Sequence, residues 1–384
     1  MNESLLIKNC RLYNSLNSNQ LKSILIENGK ISDIDSTEIS ESNKTLDIDG
    51  KIIAPGLIDV HIQGAGGADI LDGTQEALQT ISNTLARVGT TSFLGTTVVK
   101  PLEENKHLKL ANNYIEKDLE GANLLGFHLE GPFINYNKRG GLDPASIYNS
   151  SPEKLEEVLQ VTNDNLRMMT IAPELPGNLE IIKELRRNNI VPAFAHSEAD
   201  FEETKKGFDA GINHVTHIFN AMLPLHHRNP GPLAAIFENK EVSAQIISDG
   251  HHLHPAIVKI LYKFLGADRC ICITDGVQAI GLPEGNYVYN GREYTSKNGA
   301  ARYLDGTLIG SAMSLANIAL KFWKFTGCSF DEAINSASKN PAVLLGIYDR
   351  KGSIDINKDA DLIVFDKDYS IYATIIGGKV VYKK

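Results

Sequence analysis

Phe127-His-Leu-Glu-Gly-Pro-Phe133 closes an apolar run that begins at Leu124. Its reading decides the fold. The run has the length and apolar content of a buried strand, and Gly-Pro stops the ladder, so Glu130 is left at the C-terminal tip. Two later runs end the same way in histidine: Val191-Pro-Ala-Phe-Ala-His196 and Asn213-His-Val-Thr-His217. Core strands that finish three times on metal-type ligands imply tips that converge.

Outward from these three, apolar runs alternate with helical patterns. Strands are predicted to end near His61, Thr96, Leu129, Ala172, His196, His217, Asp249 and Asp275, with helices over Gln75–Arg87, Asn178–Arg187 and Pro255–Leu265. That alternation is the arithmetic of an α/β chain closed into a (β/α)8 TIM barrel, with an open doubly wound sheet as the alternative on pattern alone. The glycine-rich Gln63-Gly-Ala-Gly-Gly67 lacks both the G-x-G-x-x-G register and a P-loop lysine. Before residue 53 the chain has short alternating segments (Leu5–Lys8, Ser23–Glu27, Lys30–Ile34) separated by turns. After residue 350 the texture returns in Gly352-Ser-Ile354, Asp361–Phe365, Ile371–Ile376 and Gly378–Tyr382. Neither end is long enough for a good core alone, so the two are expected to pair.

A net charge of -9 with no basic block argues against a nucleic-acid partner. No apolar stretch reaches the 18 residues of a membrane span, and Met1–Ile7 lacks the basic and apolar regions of a signal peptide. The four cysteines, Cys10, Cys270, Cys272 and Cys328, have neither disulfide nor zinc spacing. Reduced thiols and a cytoplasmic location are expected.

In a barrel the strand tips share one mouth. One glutamate and two histidines, Glu130, His196 and His217, make the ligand set of a catalytic zinc site with a position left for water; iron, cobalt and manganese suit the same donors. Singly, each has a plainer reading: a strand-end histidine is often just a satisfied polar residue, and a glutamate a helix cap or a lysine partner. Three on separate tips favour the metal. His128 sits one pleat deeper and reads as packed, His107 lies in a polar helical stretch, and His214 faces away from His217. In Cys270-Ile-Cys-Ile-Thr-Asp-Gly276 a buried run delivers Asp275 to the mouth, where it reads as the acid/base; capping the next helix is the alternative. The segment Phe219-Asn-Ala-Met-Leu-Pro-Leu-His-His-Arg-Asn-Pro-Gly231 is broken by prolines and reads as a substrate loop. In it Arg228 offers a planar fork for phosphate, or simply a solvated surface charge. Asp249-Gly-His-His252 and Asp305-Gly-Thr-Leu-Ile-Gly-Ser311 add donors and backbone groups near the mouth.

The chain resembles the N-acetylglucosamine-6-phosphate deacetylases of the amidohydrolase superfamily along essentially its whole length. The likeness rests on Pro55-Gly-Leu-Ile-Asp-Val-His61, His128-Leu-Glu-Gly-Pro-Phe133, Ala195-His-Ser-Glu-Ala199, Thr216-His-Ile-Phe-Asn-Ala-Met222, Arg228-Asn-Pro-Gly231, Asp249-Gly-His-His252, Ile273-Thr-Asp275 and Asp305–Ser311. It implies a metal-dependent barrel over residues 54–349 and a small β-sandwich built from residues 1–53 and 350–384, assembled as a homodimer. Carried over, the resemblance makes Glu130, His196 and His217 the ligands of one divalent ion, zinc first, and Asp275 the acid/base. It places Asn220, the backbone at Ala221, and Arg228 at the sugar phosphate, with His252 a further substrate-binding residue near the subunit boundary. Gly141, Leu142, Leu308, Ile309 and Gly310 would lie at the sugar. The reaction implied is hydrolysis of the acetamide of N-acetyl-D-glucosamine 6-phosphate to glucosamine 6-phosphate and acetate. N-acetylgalactosamine 6-phosphate fits the same features; another amide or cyclic-amide hydrolysis shares the metal chemistry, but the Arg228 loop and Asp249-Gly-His-His252 favour a phosphosugar. A non-catalytic sugar-phosphate binder has no physical need for Asp275.

Two positions depart from the family. His61-Ile-Gln63 stands where some relatives have His-x-His and bind two metals. A glutamine oxygen is the weaker ligand, so one firm site is expected, with His61 as a weak second ligand. Leu142 stands where relatives often have a side chain that hydrogen-bonds substrate.

Overall fold

The structure is a computed structural model, and it describes residues 4–16, 20–35, 44–289 and 291–384. Eight parallel strands form its centre: β1 (Leu57–Ile62), β2 (Thr90–Thr97), β3 (Asn123–Glu130), β4 (Leu166–Ile171), β5 (Val191–Phe194), β6 (His214–Val215), β7 (Ser243–Ile246) and β8 (Cys270–Cys272). Their spatial order follows the chain, each strand pairing with the next. Every residue of β1 and β2 is buried, as expected of a parallel sheet covered on both faces. The strands curl into a nearly closed barrel rather than an open sheet. Closure comes just beyond β8: Gly276 bridges Ile62, Asp275 N donates to His61 O at 3.0 Å, and Gln63 N donates to Gly276 O at 2.8 Å.

The helices form for local reasons visible in the chain. Thr74 caps Gln75–Arg87 by accepting from Ala77 N, and Ala77, Leu78, Ile81 and Leu85 turn inward along one stripe. Asn178–Arg187 buries Ile181, Ile182 and Leu185, and a reciprocal Asp200/Glu203 capping box starts Phe201–Ala210. Among the described residues no helix is long and apolar enough to cross a membrane.

The two chain ends meet in one second sheet. Its path runs Lys379–Lys383, Ile371–Ile376, Leu362–Phe365, Ile52–Pro55, Ser4–Leu12, Lys22–Glu27, Lys30–Ile34, and Lys44–Asp47 also pairs with Ser4–Leu12. Ile52–Pro55 joins the halves, antiparallel to the C-terminal strand and parallel to the N-terminal one. An apolar cluster of Ile7, Ile24, Ile26, Ile53, Leu362, Val364 and Ile375 packs beneath it. One expected strand is absent. Gly352-Ser-Ile354 forms bends, because Gly352 takes φ 89° and a Cβ there would stand 2.9 Å from Ser338 O. The preceding Lys351 is drawn inward instead, paired with Asp361 and, at 3.2 Å, with Asp359.

An element that the sequence reading did not anticipate follows β8. Gly285–Tyr289, Arg292–Lys297, Ala300–Tyr303 and Leu308–Ser311 form a four-stranded antiparallel sheet, of which only the last part was read as a turn beside the mouth. Its final strand bridges Gly276 through Ser311, so the inserted sheet is attached at the barrel seam.

Candidate metal centre and acid at the barrel mouth

Glu130 ends β3 as expected, but the other tips are reached differently. β5, β6 and β8 stop two or three residues early, and His196, His217 and Asp275 follow in left-handed backbone at φ 50°, 27° and 47°. Such φ values in residues with a Cβ cost on the order of 1–2 kcal/mol each, and they collect where a side chain must be aimed. Here they turn three side chains into the mouth.

His196 Nε2 and His217 Nε2 each lie 3.3 Å from Glu130 Oε1, and 3.2 Å from one another. These are the edges of a triangle of ligand atoms. A tetrahedral ion with bonds of about 2.0 Å separates its ligands by about 3.3 Å. His196 Nδ1 donates to Lys138 O at 2.7 Å, which leaves the Nε2 lone pair facing the cluster. Without a cation between them, such atoms crowd one another; with one, they fit. Among the described residues this is the one group of three or more ligand side chains so placed.

Asp275 and His61 complete the floor. His61 Nε2 is 3.2 Å from Asp275 Oδ1 and 3.5 Å from Glu130 Oε1, while its Nδ1 donates to Gln245 Oε1 at 3.0 Å. Burial works against a charged His61, yet Glu130 and Asp275 hold its pKa well above the usual value. Burial would raise Glu130, but His61, His196 and His217 hold its carboxyl well below the ordinary range. Asp275 follows the same balance: burial pushes up, and His61 and then His252 bring it below its usual value. His252 Nε2 lies 3.6 Å from Asp275 Oδ2, and its Nδ1 is 2.7 Å from Asp249 Oδ2.

Gln63 does not present its oxygen to the cluster. Tyr289 donates to Gln63 Oε1 at 2.6 Å, and the amide nitrogen faces Asp275 Oδ1 at 3.5 Å. Leu308, Ile309 and Gly310 run beside Asp275, whose carbonyl accepts from Ser311 N at 2.9 Å. Gly310 is required there: at φ 148° a Cβ would stand 2.6 Å from Asp275 O. Asn220 is tied to its own turn, donating to His217 O and Ile218 O at 3.2 and 3.3 Å, and Ala221 O accepts from Ser197 N. Gly141 and Leu142 follow the Lys138 carbonyl that fixes His196. Arg228 is exposed, with no ion-pair partner among the described residues, and only its backbone is engaged, by His226 Nδ1. His128 is packed, bonded to Val60 O and Thr170.

Three supporting residues escaped sequence reasoning. Gln245 Oε1 accepts from both His61 Nδ1 and His217 N, so one buried amide sets two tips. Glu174 accepts from Ser197 Oγ and Glu198 N, both at 2.7 Å, and holds the segment after His196. Tyr289 is the third. The one available signal was Gln245 itself, a polar residue inside an apolar run.

The amidohydrolase family model matches residues 52–381. The chain is 35% identical to the N-acetylglucosamine-6-phosphate deacetylase of Bacillus subtilis, over all of this chain and 98% of that protein. It is 32% identical to an N-acetylgalactosamine-6-phosphate deacetylase of Escherichia coli O157:H7, over 95% of each. The crystal structure of N-acetylglucosamine-6-phosphate deacetylase from Pasteurella multocida superposes with a TM-score of 0.90 at 26% identity, covering 99% of this chain and 100% of that one. With the barrel, the ligand triangle and these full-length likenesses together, the chain belongs to the amidohydrolase family, in the group of N-acetylglucosamine-6-phosphate deacetylases.

Proposed function

We propose that this protein hydrolyses the acetamide of N-acetyl-D-glucosamine 6-phosphate, releasing acetate and glucosamine 6-phosphate. The observation that carries the reading is the triangle of Glu130, His196 and His217 with Asp275 beside it, in a chain alike over its full length to enzymes named for this reaction. A divalent ion held by the three ligands supplies a Lewis acid for the acetyl carbonyl and lowers the pKa of water. Zinc is the ion we assign, on the donor set of one carboxylate and two imidazoles. Asp275, held ionised by His61 and His252, takes a proton from the attacking water and passes it to the departing nitrogen. Arg228 anchors the phosphate with two charge-assisted bonds, and that anchoring orients the acetamide. Asn220, Ala221 and His252 meet the sugar phosphate; Gly141, Leu142, Leu308, Ile309 and Gly310 line the sugar. His61 is a weak second ligand at most.

The terminal sheet is assigned as a small β-sandwich domain of residues 1–53 and 350–384, beside a barrel of residues 54–349. Assembly as a homodimer in the cytoplasm completes the reading. The C4 epimer, N-acetylgalactosamine 6-phosphate, is the nearest alternative substrate, since one relative is named for it. An amine-release assay on both epimers and their unphosphorylated forms, run with elemental analysis of the protein, tests the proposal. Turnover led by the glucosamine epimer supports it; metal-loaded protein inert on all four would refute it.

A further inference from the structure

The Gln63 amide is held at both ends, by the Tyr289 hydroxyl on one side and beside the Asp275 carboxylate on the other. A side-chain amide has one acceptor end and one donor end, and the end that looks inward decides what can settle there. As observed, the NH2 group occupies the ground next to Asp275 Oδ1 and opposes a cation. Turned over, the carbonyl oxygen would face Asp275. With His61 Nε2 at 3.2 Å from the same carboxylate, that would complete a nitrogen and oxygen donor set for a second divalent ion.

Tyr289 blocks the turned-over state. Among the described residues its hydroxyl has one hydrogen-bond partner, Gln63 Oε1. Burial first, then the carboxylates around it, keeps this phenol protonated far beyond the ordinary tyrosine range, so it always carries a proton to donate. If the amide turned, the hydroxyl could accept from its NH2 group, but the hydroxyl's own proton would lose its acceptor in a half-buried site. Before an ion arrived, the Gln63 carbonyl would also confront the Asp275 carboxylate. Tyr289 belongs to Gly285–Tyr289, the first strand of the inserted sheet, whose last strand is bonded to Asp275 O through Ser311 N. The inserted sheet therefore grips Asp275 twice, once through backbone and once through Tyr289 and Gln63.

We propose that Tyr289 is a positioning residue that pins the Gln63 amide with its NH2 toward Asp275, closing the His61 side of the site to a second divalent ion and steadying the acid. The inference rests on the reading of Glu130, His196 and His217 as the holders of one ion and of Asp275 as the proton carrier.

Zinc titration of the intact protein, with the ions counted after equilibrium dialysis, provides the test. Wild-type protein should hold one tight ion. Tyr289→Phe keeps the ring but frees the amide, and should bind a second zinc at least ~10-fold more tightly than wild type, the scale of one buried hydrogen bond. Its kcat should fall while KM stays near the wild-type value. The double variant Tyr289→Phe with Gln63→Leu should lose the second ion again, because the carbonyl is gone. Gln63→Glu, with Tyr289 intact, offers an oxygen to both neighbours and should also gain the ion, so the idea stays testable should Tyr289→Phe fold poorly. Equal second-ion affinity in wild type, Tyr289→Phe and Gln63→Glu overturns it, and so does a gain that survives in the double variant. If wild-type protein holds no tight ion, or His196→Ala keeps it, the underlying reading fails and this inference falls with it. That failure is read from the first ion and from His196→Ala, whereas the inference is read from the second ion in the Tyr289 and Gln63 variants.

Discussion

Replacing Gln245 with leucine removes the one side chain that serves both His61 and His217, at almost constant volume. Gln245 is fully buried, and its Oε1 accepts from His217 N at 3.2 Å and from His61 Nδ1 at 3.0 Å. A leucine offers neither acceptor. The backbone N–H of His217 cannot change its protonation, so one buried donor is stranded in every case, at about 1–3 kcal/mol. His61 can avoid the same fate only by giving up its Nδ1 proton, which leaves it neutral and weakens its attraction to Glu130 and Asp275. If it keeps the present arrangement, the loss doubles to roughly 2–6 kcal/mol. Either way the orientation of a ligand histidine loosens, and second-layer partners of this kind are worth about 10–100-fold in metal affinity. Denaturant unfolding followed by the single tryptophan, Trp323, together with competitive zinc titration, measures both effects. Gln245→Glu retains an acceptor oxygen and should keep more of the affinity than leucine does. A Gln245→Leu protein within ~0.5 kcal/mol of wild type, binding zinc as tightly, would refute the argument that this amide sets the two tips.

Four further outcomes are expected. Asp275→Asn should fold and hold its ion while kcat falls by about 10²–10⁴, the scale for losing a positioned proton carrier; near-normal turnover would remove it from the mechanism. His196→Ala should strip the ion and abolish turnover, as elemental analysis and the amine-release assay would show. Arg228→Ala should lower kcat/KM for the phosphorylated sugar by at least ~10-fold and leave residual hydrolysis of unphosphorylated N-acetylglucosamine almost unchanged, with Arg228→Lys recovering only part; equal damage to both substrates would mean that Arg228 merely supports its loop. Burial raises Asp69 from an ordinary 3.8 to about 7, so the folded state prefers its protonated form. The associated stability is complete below the unfolded pKa and lost as pH climbs through about 7. Asp69→Asn, which keeps the acceptor for Leu71 N, should therefore gain on wild type in unfolding experiments as pH is raised across that window; a constant difference between the two proteins would contradict this.

Elements whose signals are local could be read directly from the chain. Gln75–Arg87, Asn178–Arg187 and Pro255–Leu265 form over the expected residues because apolar stripes and end signals lie within each segment. Glu130 stands at its strand end because Gly131-Pro132 stops the ladder. The meeting of Glu130, His196 and His217 was legible for a different reason: a barrel brings its tips to one mouth whatever lies between them. The left-handed backbone at His196, His217 and Asp275 was not, since no residue-level preference announces it and tertiary contacts impose it. Gln245 and Tyr289 were hidden because their partners, His61 and Gln63, lie far away in the chain. The inserted sheet was obscured by Arg292-Glu-Tyr-Thr-Ser-Lys297, a strand with exposed charged ends that offers little apolar alternation. Gly352-Ser-Ile354 was misread because the packing of Gly352 against Ser338 depends on the folded neighbours.

The barrel is sewn shut by the backbone of Asp275, the residue proposed to carry the proton. Asp275 N reaches His61 O while Asp275 O receives Ser311 N, so one residue stitches the first strand, the last tip and the inserted sheet together. The stitch thus spans residues 61 to 311, the whole stretch that carries Glu130, His196 and His217. Closing the cylinder and placing the Asp275 carboxylate therefore draw on the same residue.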